Sequence, residues 1–130
     1  LLASSAASDV YKRQHKKIIN MSITVNIYYT GINGNARKFA EEMVTSGIVD
    51  AIKAEKGNER YEYFFSMNDP ETILLIDSWK DQKSIDAHHA TIMMEQITEL
   101  RNKYDLHMKV ERYTSNEENI TSADKKFIRL

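Results

Sequence analysis

The sequence predicts an α+β fold of the ferredoxin-like β-α-β-β-α-β type, with both helices over one face of a four-stranded antiparallel sheet. Three observations carry this. Apolar and polar residues alternate at 22–30, 60–67, 72–79 and 107–113, the period-two signature of strands. Two segments with apolar residues three and four apart, 35–56 and 82–104, lie between the first and second strands and between the third and fourth. The two middle strands are joined by Asn68-Asp69-Pro70, turn chemistry that closes a hairpin.

Residues 1–20 do not fit this pattern. The Leu-Leu-Ala start is too short for a signal sequence, and the basic residues follow it instead of preceding it. The stretch resembles translated sequencing-adaptor read-through. It is expected to be a disordered or irregular leader, with Met21 as the start of the folded domain, 21–114.

In the first strand Ile23, Val25, Ile27 and Tyr29 take one face, and Thr24, Asn26, Tyr28 and Thr30 the other. Asn35 is the expected N-cap of a single helix running to about Lys56. Its stripe is Ala36, Phe39, Ala40, Met43, Val44, Gly47, Ile48, Ala51 and Ile52, and Gly57 is expected to end it. The second and third strands follow, bringing Tyr61, Tyr63 and Trp79 towards one end of the sheet. Asp81 then offers an N-cap oxygen to a helix carrying Ile85, His88, His89 and Ile92. The helical pattern continues to Tyr104 with a kink expected near Ala90. A last strand covers 107–113. The tail, 115–130, is polar until Phe127-Ile128-Arg129-Leu130, and is expected to be disordered or an arm that hides Phe127 and Ile128 against a partner.

Several strands are apolar on both sides, so the sheet face without helices needs a cover. A second copy of the chain, sheet against sheet, is the economical one.

Composition narrows the function. At 130 residues the chain is one domain. A net charge of −1 gives no electrostatic reason to expect nucleic acid or an anionic membrane as partner. There is no cysteine, which excludes disulfides, thiolate nucleophiles and cysteine-ligated metals, and leaves an oxidising compartment without support. No apolar run approaches the roughly 20 residues needed to span a bilayer. Gly31-Ile32-Asn33-Gly34 matches neither GxGxxG nor GxxxxGK, and adjacent His88-His89 cannot share a helix face as metal ligands. The expectation is therefore no cofactor and no metal.

The stretch 57–94 carries a resemblance. A helix-ending Gly57, the Arg60-Tyr61-Glu62 strand, the Asp69-Pro70 turn, a strand ending in Trp79 and then Ala87-His88 resemble the antibiotic-biosynthesis-monooxygenase family, in particular its quinol-monooxygenase-like members. The likeness extends over roughly 21–113. It implies a dimeric α+β barrel, a cytoplasmic setting, and oxidation of a quinol-like or other aromatic substrate by O₂ without a cofactor.

On that reading His88, at the family's Ala-His, is the base that takes a proton from a phenol or quinol hydroxyl. Asn26 and Trp79 orient and stabilise. Tyr28, Tyr61, Tyr63 and Met93 line the substrate pocket. Plainer readings compete: His88 as a capping histidine, Trp79 as a core or interface anchor, Asn26 facing water, the tyrosines as ordinary strand residues. Three other functions stand beside the oxygenase. Glu55 to Arg60 resembles isomerases of a small phosphorylated signal, with Lys53, Lys56 and Arg60 nearby. A non-catalytic dimer could bind a small ligand. Heme degradation fits least, because this chain has His88 where that branch has Trp and no histidine near Thr98.

Overall fold

The computed structural model of the chain describes residues 2–19, 21–115 and 120–130. Its elements are α1 (Leu2–Ile19), β1 (Ile23–Thr30), α2 (Asn35–Thr45), α3 (Ile48–Lys53), β2 (Asn58–Phe65), β3 (Thr72–Trp79), α4 (Gln82–His89), α5 (Met93–Lys103), β4 (His107–Thr114) and α6 (Ser122–Lys125). The strands form one antiparallel sheet in the order β2-β3-β1-β4. That is the ferredoxin-like arrangement expected.

Side-chain alternation decides which residues meet the helices. Ile23, Ile27 and Tyr29 of β1, Tyr61 of β2, and Ile73, Leu75, Asp77 and Trp79 of β3 are buried on one face. Phe39, Met43 and Ile52 of α2 and α3, Ile85 of α4 and Ile97 of α5 close over them. Val110 and Met108 of β4 pair with Ile27 and Tyr29, so they share this face, yet they are 55% and 42% exposed because the helices stop short of that edge.

Local chemistry explains the joints. Asp69 accepts hydrogen bonds from the Glu71 amide at 3.0 Å and the Thr72 hydroxyl at 2.6 Å, which fixes the β2–β3 hairpin. Asp81 accepts from the Ser84 amide at 2.8 Å, the N-cap expected for α4. The helical pattern after it breaks at residues 90–92, where a kink was expected.

Five local features differ from expectation. The helix expected over 35–56 is two helices, because Gly47 takes a left-handed φ of 85° after the weak helix formers Thr45 and Ser46. Its N-cap is Gly34, while the Asn35 amide donates to the Tyr104 carbonyl at 3.1 Å. Helix α3 ends at Lys53, so Gly57 lies beyond it in the turn into β2, at a φ of 91°. The leader expected to be irregular is the helix α1, in which Ala, Lys, Arg and Gln, all good helix formers, recur along the segment; its residues 5–15 are exposed. In the tail, α6 is exposed and Phe127 is 81% exposed, so within this chain it hides nothing. Residues 116–119 of that tail lie outside those described.

Candidate active site

Two inward positions of β3 and one of α4 form the centre of the site. Trp79 ends the inward series of β3 and is 1% exposed. The Asp81 cap starts α4 in the phase that turns Ile85 and His88, three residues apart, onto the sheet. The His88 imidazole, 4% exposed, packs against the indole with ring centroids 4.8 Å apart and planes at 31°. Its Nδ1 lies 2.7 Å from Glu55 Oε2, in the turn between α3 and β2. An ionised carboxylate only accepts hydrogen bonds, so Nδ1 carries the hydrogen and a neutral ring keeps its lone pair on Nε2. His89, the next residue, is exposed, as the 100° step of a helix requires.

Beside this pair the interior is unusually polar. Asp77 is buried two residues before Trp79 on the same face. Burial pushes its carboxyl up to about 7; the Trp79 indole N–H opposes the rise and the Glu55 charge adds to it. Opposite Asp77 in the register stands Tyr61, and one pair further stands Tyr63 opposite Leu75. The two tyrosine rings meet edge to face at 6.0 Å. Burial raises both phenols far above the usual range. Behind them the Arg101 guanidinium of α5 donates to the Tyr29 hydroxyl at 2.9 Å. Asp77 Oδ1, the Tyr63 hydroxyl and Arg101 Nε are buried without a hydrogen-bond partner. Such orphaned groups are rare inside proteins.

Tyr63 also reaches a surface cavity of about 250 Å³ between α2 and β2. It is lined by Arg37, Ala40, Glu41, Val44, Thr45, Tyr63 and Phe65. The Arg37 guanidinium lies 4.8 Å over the Phe65 ring at its rim.

The structure thus brings together His88, Trp79, Tyr61 and Tyr63. Met93 opens α5, half-buried and packed on the same core. Asn26 and Tyr28 are elsewhere. Their even positions in β1 turn them to the sheet face away from the helices, where Asn26 pairs in register with Ile76 and Glu111. Within one chain Asn26 therefore cannot touch a substrate held at His88. Its Oδ1 is nevertheless buried without a partner. Tyr28 lies under Lys109, 5.6 Å from ring to ammonium, and Glu111 raises its pKa.

Glu55, Asp77, Tyr29 and Arg101 escaped the sequence reading as site residues. Asp77 carried a signal, an acid at an inward phase of an apolar strand. Arg101 carried a weaker one, four residues after Ile97 on the stripe of α5. Glu55 carried none, since it meets His88 across 33 residues of chain. Among the described residues no cluster of three or more His, Asp or Glu could hold a metal ion.

Known proteins share this architecture. A conserved protein of unknown function from Bacteroides thetaiotaomicron, a possible oxidoreductase, superimposes with a TM-score of 0.65 at 20% identity, covering 74% of this chain and 99% of that one. A candidate antibiotic biosynthesis monooxygenase from Deinococcus radiodurans gives 0.66 at 18% identity, covering 77% and 99%. SnoaB, a cofactor-independent oxygenase from Streptomyces nogalater, gives 0.62 at 10% identity, covering 75% and 95%. No curated protein matches the chain in sequence. The sequence model of the antibiotic biosynthesis monooxygenase family matches residues 22–100, more than half of the chain's 130 residues. The chain belongs to the antibiotic biosynthesis monooxygenase family.

Proposed function

We propose that the protein oxidises a quinol-like aromatic with O₂ without a cofactor, using His88 as the base. The observation that carries this is the buried His88–Glu55 pair, 2.7 Å apart, set against the Trp79 indole. Glu55 holds the ring with Nε2 free to accept, the arrangement by which a carboxylate orients a general base.

The reaction balances without a bound redox group. His88 removes a hydroxyl proton from the enol or phenol form of the substrate. The electron-rich anion passes one electron to O₂, giving a carbon-centred radical and superoxide. Their recombination forms a C–O bond. The peroxide then loses water as a carbonyl forms: R₂CH₂ + O₂ gives R₂C=O + H₂O, one oxygen atom in each product. The protein's part is to deprotonate, to exclude bulk water, and to hold the anion among fixed dipoles. Asn26 and Tyr28 have no part in this within one chain.

The face of the sheet opposite the helices supports a second reading at the level of assembly. Phe64, Leu74 and Ile76 stand on it half-buried. A second copy placed there completes a dimeric α+β barrel; sedimentation equilibrium at twice the chain mass tests it. A cytoplasmic setting fits a chain without cysteine, and no described helix is long and apolar enough to cross a membrane.

The oxygenase reading is tested by oxygen uptake with a panel of hydroquinones and a chelator present, beside His88→Ala. Uptake that falls at least tenfold in the variant, about 1.4 kcal/mol of transition-state stabilisation, is expected. Equal uptake by both proteins, or none above autoxidation, would overturn it.

A further inference from the structure

Three lysines meet at one cavity outside the proposed active site. The cavity lies between the turn after α3 and the start of α4. It holds about 280 Å³ and is lined by Lys56, Lys80, Asp81, Lys83, Ser84 and Ala87. Lys83 and Ala87 are exposed positions of α4, whereas Ile85 and His88 face the sheet, and His88 is not among the walls. Lys56 precedes β2 and Lys80 follows β3, so the fold assembles the group and sequence adjacency does not. The chain as a whole carries a net charge of −1, so this cationic wall is not a by-product of general basicity.

These lysines lack the acids that other surface cations have. Arg37 pairs with Glu41 at 3.0 Å, Arg60 with Glu62 at 3.1 Å and Lys103 with Glu42 at 2.6 Å. Among the described residues no carboxylate pairs with Lys56, Lys80 or Lys83. The one acid in the wall, Asp81, is committed to the α4 cap, where it accepts from the Ser84 amide at 2.8 Å and the Ser84 hydroxyl at 2.7 Å. Those hydrogen bonds, and after them the Lys80 and Lys83 charges, hold its carboxyl below the usual range. Three ammonium groups against one carboxylate leave two charges uncompensated, and their mutual repulsion falls when an anion enters. The walls are also fixed before any ligand arrives, because the Gly57 carbonyl accepts from the Lys80 amide at 2.8 Å and ties the two segments together.

An ammonium is a compact charge with three donors and no acceptor. Three of them, arriving from a turn, a strand end and a helix, match a tetrahedral anion with charge on three oxygens better than a planar carboxylate with two. The cavity is at the small end of ligand sites, with room for a phosphate and a short organic stem. We propose that the cavity between the α3–β2 turn and α4 binds a phosphate group, as the free ion or as the head of a small monoester, held by Lys56, Lys80 and Lys83. Binding does not rest on the oxygenase reading, and no bond to phosphorus breaks in it. Because the walls come from both segments, the bound anion stabilises the folded chain by mass action.

The test is calorimetric titration of the full chain at pH 8 and constant ionic strength, with inorganic phosphate, phenyl phosphate and benzoate against a chloride background. Saturable phosphate binding is expected, at least tenfold tighter than benzoate binding. It should weaken at least tenfold in Lys56→Gln and in the double variant Lys80→Gln, Lys83→Gln. Lys38→Gln, at an exposed position of α2 outside the cavity, should bind as the parent does. Phosphate should raise the melting temperature of the parent and leave that of the double variant unchanged; melts without phosphate confirm that each variant is folded. Phenyl phosphate binding more tightly than inorganic phosphate assigns the site to a monoester, and otherwise it belongs to the free ion. No saturable phosphate binding by the parent, benzoate bound as tightly, affinity unchanged in the cavity variants, or an equal loss in Lys38→Gln overturns the proposal. Oxygen uptake by the same protein remains a separate test of the oxygenase reading.

Discussion

His88 Nδ1 and Glu55 Oε2 lie 2.7 Å apart with both side chains largely shielded from water, 5% and 16% exposed. The pair joins the second residue after a short helix to the last turn of another, tying α3 to α4 across the edge of the core. Replacing Glu55 by Ala leaves the imidazole N–H buried without an acceptor. The cost should be about 1–3 kcal/mol, read from urea unfolding at neutral pH. Glu55→Gln keeps an acceptor oxygen and should lose less stability. If Glu55 orients a base, Glu55→Gln still lowers kcat for hydroquinone oxidation while leaving KM nearly unchanged. A merely structural pair would lose stability in both variants with no change in kcat.

Asp77 gives the protein a pH dependence of predictable sign. Its carboxyl titrates at about 7 in the fold and at the ordinary 3.8 in the unfolded chain. Between those values the folded protein holds a proton that the unfolded chain has released. Stability from this group is therefore complete below about pH 4 and is lost as pH rises through 7, a loss on the order of 4 kcal/mol. Asp77→Asn removes the dependence. The melting temperature of the variant should exceed that of the parent at pH 8 and the gap should close towards pH 4. Parallel curves across that range would show that Asp77 is not the titrating group.

Gly57 should be irreplaceable. Its φ of 91° is a conformation that L side chains rarely adopt, and an added Cβ would lie 2.1 Å from Ser84 Oγ. Gly57→Ala must strain the backbone and displace the first turn of α4, at about 1–3 kcal/mol for the backbone conformation alone. Gly34, also at positive φ, has open space around its missing Cβ, so Gly34→Ala should cost less. Paired thermal melts of the two variants check the order.

Tyr29 holds Arg101 in place. Its hydroxyl accepts from Arg101 at 2.9 Å, and Arg101 Nε already lacks a partner. Tyr29→Phe keeps the ring packed at 4.9 Å from the Phe39 ring but leaves the half-buried guanidinium a further bond short. A loss of about 1–3 kcal/mol is expected in denaturant titrations. Tyr29→Phe with Arg101→Met should recover part of it, because the charge leaves with its partner.

The fold was legible because periodicity is a local property. Alternation placed four strands, and the Asp69 and Asp81 side chains marked the two joints that the structure builds with them. The breaks were harder. Gly47 sits on the apolar stripe of what looks like one helix, and only its left-handed backbone reveals the end. The site was half legible. Trp79 and His88 lie close in sequence and their phases could be counted. Asn26 fell on the wrong face by the same alternation, which already set it opposite Ile27 and Tyr29. Glu55 could not be found at all, because the contact depends on how a turn after α3 meets a helix that begins after two intervening strands.

The turn at Gly57 also sets how the His88–Glu55 pair moves. The Gly57 carbonyl accepts from the Lys80 amide at 2.8 Å, and its bare Cα lies against Ser84. Glu55 is two residues before that clamp and His88 four residues after Ser84. The carboxylate and the imidazole therefore ride on a single rigid body rather than on two segments that breathe apart. Their separation should survive loop fluctuations elsewhere, and in hydrogen exchange the Lys80 amide should open only when the whole domain unfolds.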